Sequence, residues 1–510
     1  MVAQLDTKTV YTFMDSLISI KKYVETAKNL GYQTLGIMDI DNLYGVYHFM
    51  ETAIEQGIQP LLGVEMTLDY AGLPLNLRFL ALDSQGYRNL MKLSTLKMIG
   101  KSKWEEFQHL LEGIAVIVSV FEGIEALDLG REFYIGVFSD TPKQAFPHPT
   151  LPLQTVRYFD TGDLETLQML CAIRENSSLR EVGNLPNHDY LLSPEQFTQS
   201  FQENYPESLD NLKRLVAGIH YEINTELKLP RFNPEQSAVK ELRERAEAGL
   251  EKKGLNGSIY KERLQQELSV IHQMGFDDYF LIVWDLLRFG RSQGYYMGMG
   301  RGSAVGSLVA YALEITGIDP VEKGLLFERF LNVERYTMPD IDIDIESGRR
   351  EEAIQYVYNR YGRDYAAQVA NVNTYRRRGA IRDAARALGY PQGSIDAWAR
   401  RAADPPEQVI RLAEQFRGHP RHLSIHSGGM VICDRPIADV VPVQWSAMEN
   451  RSVVQWDKDD CASAGLVKFD LLGLGMLEAL HHMVDLVQVH HGKIINLWEL
   501  DLTDSNIYAM

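Results

Sequence analysis

The sequence predicts a multidomain α/β protein, and three observations predict it. The chain has 510 residues, too many for one compact core and suited to two to four domains. Its first part alternates short apolar runs with helical periodicity, the pattern of a parallel sheet or barrel. Its middle third holds a run of aspartates that alternate with isoleucines, the pattern of a half-buried strand.

In order, residues 15–30 have helical spacing, 33–38 form an apolar strand ending at Asp39, and 44–56 are helical again. Residues 60–68 and 75–82 read as strands, 87–98 as a helix and 114–120 as another strand. A proline-rich stretch at 142–152 interrupts the alternation, and helical segments then run to about Glu226. Residues 229–234 hold two prolines without periodicity and make the best linker, followed by a long charged helical segment over 235–274.

Composition narrows the function. The apolar content of 45% builds ordinary cores. No apolar run is long enough to span a bilayer, and no basic-then-apolar leader opens the chain. Cys171, Cys433 and Cys461 lie far apart without a C-x-x-C spacing, which fits a reducing cytosol and argues against a cysteine-held zinc. The net charge of -18 argues against nucleic-acid binding as a bulk property. Arg376, Arg377, Arg378, Arg382 and Arg386, continued by Arg400, Arg401, Arg411, Arg417 and Arg421, reverse that sign locally.

Three motifs carry chemistry. Residues 298–307 read Gly-Met-Gly-Arg-Gly-Ser-Ala-Val-Gly-Ser, after an aromatic strand-like stretch and before an apolar helix at 308–313. Glycines let such a loop turn tightly and bring N–H groups to an anion at the helix start, with Ser303 adding a hydroxyl. A plain turn is the competing reading, and no Walker lysine follows. Residues 339–345 read Pro-Asp-Ile-Asp-Ile-Asp-Ile, a strand with Asp340, Asp342 and Asp344 on one face. Like charges so close repel unless a cation neutralises them, and hard carboxylate oxygens select Mg²⁺ or a similar ion; a solvated edge strand is the competing reading. Residues 466–473 form another apolar strand, with Lys468 and Asp470 on a shared face. They form either a structural ion pair or a further carboxylate with a phosphate-binding lysine.

The surrounding words resemble the alpha subunits of bacterial DNA polymerase III. Gly300-Arg301-Gly302-Ser303, Leu326-Phe327-Glu328-Arg329-Phe330-Leu331-Asn332, the aspartate strand, Tyr361-Gly362-Arg363-Asp364, Ile425-His426-Ser427-Gly428-Gly429, Gln455-Trp456-Asp457-Lys458 and 468–473 occur in the family's order. The resemblance covers essentially the whole chain. It implies a polymerase-and-histidinol-phosphatase (PHP) β/α barrel-like domain at 1–226 and a polymerase-beta-like nucleotidyltransferase palm at 229–371 and 426–490. An inserted helical thumb would occupy 372–425, and 491–510 would begin the fingers. It implies a DNA-directed DNA polymerase with Asp340, Asp342 and Asp470 holding two Mg²⁺ ions, Asp344 being a weaker candidate. Gly302, Ser303, Lys468, Arg329 and Arg335 would bind the deoxynucleoside triphosphate, and Arg376, Arg377 and Arg378 the primer–template backbone. His426 and Gln455 match motifs without an evident chemical role. The sliding clamp, clamp loader and other replisome subunits would be partners in the cytoplasm, through a C-terminal half absent here.

The N-terminal domain departs from the metal-binding members of that family. Gln4 and Lys8 stand where histidines would be ligands, Arg157 closes the later stretch, and only Asp39 survives. A lysine ammonium repels a divalent cation, so no metal, phosphoesterase or proofreading chemistry is expected there. Two alternatives remain: an inactive DNA-binding or scaffold fragment, and a phosphoesterase working through the N-terminal domain.

Overall fold

The structure is a computed structural model and describes residues 2–124, 127, 129–130, 132–183, 185–334, 338–446, 448–497 and 505–509. They form two compact units. The first comprises Met1–Thr225, Ala370–Ile425 and Ala438–Asp460, the second Glu226–Val369, His426–Ile437 and Cys461–Met510.

The first unit is built on seven strands that neighbour one another in chain order. These are β1 (Ala3–Gln4), β2 (Thr34–Ile40), β3 (Gln59–Tyr70), β4 (Leu73–Ala81), β5 (Ile114–Ser119), β6 (Phe133–Val137) and β7 (Thr150–Pro152). Strands β1, β2 and β3 are parallel, as are β5, β6 and β7, but β4 is antiparallel to both neighbours. The expected parallel sheet or barrel is therefore built on a mixed sheet. The cause is a two-residue turn: Tyr70 pairs with Leu73, and Ala71 and Gly72 between them take φ of 51° and 90°. Left-handed conformations at both central residues give the turn whose twist suits a hairpin. Helices Ile20–Asn29, Val46–Glu55 and Ser84–Met98 connect the strands. The first starts later than its periodicity predicts, because Ser16 donates to the Lys8 carbonyl at 2.6 Å and keeps the preceding residues in a loop. In the same unit, helices Arg377–Ala387, Gln392–Ala399 and Glu407–Gln415 share a core with helix Leu164–Arg174 through Ala384, Leu412, Leu167 and Leu170.

Six further strands follow: β8 (Asp342–Glu346), β9 (Ala366–Thr374), β10 (Pro420–Ile432), β11 (Val443–Trp445), β12 (Ser452–Val454) and β13 (Lys468–Leu474). β11 and β12 form an antiparallel hairpin in the first unit. The chain leaves the second unit along β9 and returns along β10. There the strand order is β9–β10–β13–β8, with β13 parallel to β8 and antiparallel to β10.

The charged segment expected as one helical stretch is two helices, Ala238–Lys252 and Ser258–Gln273, broken where Gly254 takes φ of 72°. Helix Asp277–Ser292 follows, its Tyr279, Phe280, Val283 and Leu287 buried in one core with Ile341, Ile343 and Ile345 of the aspartate run and with Phe469 and Leu471 of β13. The stretch before the glycine loop, expected to be strand-like, makes only one bridge, Met297 to Ile345. That bridge covers the free edge of β8. Among the described residues no helix is long and apolar enough to cross a membrane.

Candidate active site

Alternation along the aspartate run sends the isoleucines into the core and the carboxylates to the other face. Ile341, Ile343 and Ile345 are at most 2% exposed. Regular strand begins at Asp342, so Asp340 precedes it. In the parallel register Asp342 lies opposite Asp470, which lies opposite Gly429 of β10. Ligand oxygens of Asp340, Asp342 and Asp470 consequently lie within 4.8 Å of one another. Their side chains grade from open to enclosed, 72%, 26% and 7% exposed respectively.

One tyrosine fixes this face from behind. Tyr279 accepts the Ile341 N–H at 3.1 Å, between the first two aspartates, and its ring stacks on Phe469 at 5.0 Å, between Lys468 and Asp470. Both carboxylate-bearing segments thus pack on a single buried side chain.

The electrostatics are unbalanced. Lys468 bonds the Asp470 carboxylate and lies 3.8 Å from Asp340. Arg301 lies 3.0 Å from Asp342 and holds Asp344 through two nitrogens. Burial holds the Asp342 carboxyl above its ordinary range; Arg301 opposes this, and Asp340, Asp470 and Asp344 add to it. Asp470 Oδ1 is buried with no hydrogen-bond donor among the described residues. A buried anionic oxygen without a donor is costly, and a divalent cation would satisfy it together with its two neighbours. The residues fit a hard cation on this observation.

The glycine loop reaches the same sheet edge. Gly298 N–H donates to the Asp344 carbonyl at 2.8 Å, and a Cβ on Gly298 would sit 2.6 Å from that of Asp344. Gly302 and Ser303 lie exposed at the start of the 3₁₀ turn Gly302–Gly306. The apolar helix Leu308–Ala312 is capped by Ser307, and the Glu267 carboxylate accepts from Ser307 Oγ at 2.9 Å and from Val309 N–H at 3.1 Å. A buried glutamate thus occupies the helix start expected to favour a phosphate. Arg329 is exposed, with no ion-pair partner among the described residues, and Arg335 lies outside them.

The carboxylate cluster lies within a stretch that matches a known domain. Residues 236–473 match the family model described as the bacterial DNA polymerase III alpha NTPase domain, and residues 4–139 match the PHP domain. The DNA polymerase III subunit alpha of Streptococcus pyogenes serotype M1 is 45% identical over the whole chain and 51% of its own length. The chain resembles the bacterial DNA polymerase III alpha family over its whole length. An error-prone DNA polymerase of Corynebacterium efficiens is 43% identical over 99% of this chain and 50% of its own length. The chain thus spans about half the length of the polymerase III relatives it matches. Among solved structures, a putative metal-dependent phosphoesterase from Bifidobacterium adolescentis covers 42% of this chain and 82% of its own, at 16% identity and a TM-score of 0.16.

In the PHP domain, Lys8, expected at a ligand position, lies in a closed ion cluster. Lys8 Nζ donates to Asp6 at 2.5 Å, to Glu65 at 2.6 Å and to the Met38 carbonyl at 2.6 Å. Arg78 reaches Asp6 and Glu65 at 3.0 Å each. Burial alone would raise the Asp6 carboxyl, but Arg78 and then Lys8 outweigh it and hold the group down to about 2. Glu65 is lowered for the same reasons, against its burial. Gln4 donates to the Gln154 carbonyl at 2.6 Å, and Asp39 accepts from Thr9 and Thr12. The sequence reading found the lysine but missed Asp6, Glu65 and Arg78 as its partners.

Arg376, Arg377 and Arg378 open helix Arg377–Ala387 without an ion-pair partner among the described residues. The rest of the basic stretch is largely paired. Arg382 faces Asp396, Arg386 and Arg421 share Asp383, Arg411 meets Glu165, and Arg417 meets Glu414.

The two motif residues without a role now have surroundings. Gln455 accepts the Leu43 N–H at 2.7 Å and donates to Ser94 at 3.0 Å, while Trp456 donates to the Leu43 carbonyl at 3.1 Å. They hold the loop after β2. His426 Nδ1 accepts the Gly429 N–H at 2.9 Å and lies 4.0 Å from Asp470 Oδ1.

Proposed function

We propose that this chain is the catalytic-aspartate half of a replicative DNA polymerase, which adds deoxynucleotides to a primer 3′-OH on a DNA template in the cytoplasm. The observation that carries the reading is the convergence of Asp340, Asp342 and Asp470, including the buried Asp470 oxygen that lacks a donor. Residues 229–371 and 426–490 act as a nucleotidyltransferase palm, 372–425 as an inserted thumb, and 491–510 as the start of the fingers.

The three carboxylates would hold two Mg²⁺ ions, which when bound would activate the primer oxygen and stabilise the leaving pyrophosphate. The chain's own residues do the positioning. Lys468, Arg329 and Arg335 meet phosphate oxygens, and exposed Gly302 and Ser303 offer the loop's N–H and hydroxyl groups. Arg376–Arg378 sit at a helix N-terminus, where cations oppose the helix dipole. They offer forked donors to duplex phosphates without reading bases. The PHP domain holds no metal and acts as a brace: Lys8 and Arg78 already neutralise Asp6 and Glu65. A sliding clamp, clamp loader and other replisome subunits bind through the other half of the full-length protein.

Primer extension tests the reading. Asp342→Asn in the full-length protein should keep DNA binding and lose extension by ~10³-fold or more, which needs only about 4 kcal/mol of transition-state stabilisation. Extension near the wild-type rate would remove Asp342 from the site.

A further inference from the structure

The aspartate run carries three carboxylates on one face, but only two of them join the cluster with Asp470. The third, Asp344, is 7% exposed, and both of its oxygens are committed to Arg301. Arg301 Nε lies 2.9 Å from Asp344 Oδ2 and Nη2 lies 3.2 Å from Oδ1, a paired fork-to-carboxylate contact. The same Nη2 lies 3.0 Å from Asp342 Oδ2. The two hydrogens on Nη1 have no partner among the described residues, and the side chain is half exposed.

The backbone fixes where this guanidinium stands. Gly300 and Gly302 flank Arg301 with φ of 77° and 69°, conformations that side-chain-bearing residues rarely adopt. A Cβ on Gly300 would lie 2.7 Å from Thr316. With the Gly298 amide on the Asp344 carbonyl, the loop is docked on β8 at the residue that grips the arginine.

We propose that Arg301, clamped by Asp344, is a placeholder cation for Asp342 that passes to the triphosphate of the incoming nucleotide when a divalent cation arrives. This rests on the polymerase reading and adds a residue to it. A divalent cation and a guanidinium compete for the same Asp342 oxygen, and the cation has the greater charge density. Displacement from Asp342 leaves the Asp344 clamp intact. Nη1 and Nη2 then face a site with phosphate oxygens to accept them, the planar donor geometry that suits a phosphate. Asp344 is a positioning residue in this scheme and not a metal ligand.

The test separates competition from support. Mn²⁺ binding to the purified chain is followed by the electron paramagnetic resonance of the free ion, and dATP binding by equilibrium dialysis at saturating Mn²⁺. Arg301→Ala should bind Mn²⁺ about threefold more tightly or better and dATP about tenfold more weakly, the size of one charge-assisted hydrogen bond. Asp344→Asn should weaken dATP similarly, and the double variant should be no weaker than Arg301→Ala alone. Asp344→Glu, which keeps the carboxylate, should recover part of the nucleotide affinity. If Arg301→Ala weakens Mn²⁺ as well as dATP, the arginine merely supports the carboxylates and the placeholder role is wrong. Unchanged affinities for both would also overturn it. Asp342→Asn is the control for the underlying reading: if it leaves the Mn²⁺ titration of the wild type unaltered, the carboxylate site itself fails and the inference falls with it.

Discussion

Two charge clusters in this chain are made of the same groups and differ in their balance. In the first unit Lys8 and Arg78 face Asp6 and Glu65, two cations against two anions, all at least 91% buried. In the second, Lys468 and Arg301 face Asp340, Asp342, Asp344 and Asp470, two against four, and the cluster opens to solvent at Asp340. A buried cluster persists only if its charges are compensated by partners and hydrogen bonds. The first meets that condition with its own side chains. The second does not, and its deficit is the binding energy available to an ion. The two clusters are thus distinguished by charge balance more than by the number of carboxylates.

The largest test breaks the balanced cluster. Lys8→Met should leave Asp6 and Glu65 underpaired in a dry site and destabilise the first unit by about 3 to 5 kcal/mol. The midpoint and slope of its unfolding transition in urea would measure it. A loss below about 1 kcal/mol would show that the cluster is dispensable.

The next test loads the unbalanced one. Mg²⁺ at a hundred times its dissociation constant should stabilise the site by about 2.7 kcal/mol. Hydrogen exchange of the whole chain should slow along β8 and β13 and stay unchanged along β1 and β3. Protection of β1 and β3 would place an ion in the PHP domain and overturn the contrast.

Arg376–Arg378 invert the second case, being cations without anions. Neutralising all three should weaken primer–template binding and make log K less steep against log salt, by about 0.9 for each phosphate left unneutralised. An unaltered slope would reduce the cluster to a solvated helix start.

The smallest effect is that of acid on the balanced cluster. Asp6 is held down to about 2 in the folded chain, below its ordinary value. The stability it contributes is therefore complete above about pH 4 and is lost as pH falls through about 2, with about 1 kcal/mol gone by pH 3. Lys8→Met should flatten that slope, which denaturation at stepped pH would show.

The sequence displayed the second cluster better than the first for a physical reason. Asp340 and Asp342 announce themselves because strict alternation with isoleucine leaves one arrangement for a half-buried strand. Asp470 required a second strand to be laid beside the first, which the family resemblance supplied and local pattern did not. Lys8 was visible as an obstacle to a metal, but its partners Asp6, Glu65 and Arg78 come from three strand regions and meet only through sheet order. The antiparallel β4 was missed because Ala71 holds a left-handed conformation that sequence rules reserve for Gly, Asn or Asp. The phosphate reading of the helix start failed because Glu267, forty residues earlier, reaches it by tertiary packing.

Tyr279 has a consequence for which ions the site accepts. It touches the aspartate run through its hydroxyl and β13 through its ring face, so one aromatic ring backs both carboxylate-bearing segments from the core. Their separation is set by the backbone ladder between β8 and β13, which this buried ring backs from the dry core before any ion arrives. A larger cation cannot spread the strands to suit its radius without unseating that ring; it must accept the opening as it stands or leave oxygens unused. Any size discrimination among divalent ions at the proposed site would then be a mechanical property of the sheet and its backing.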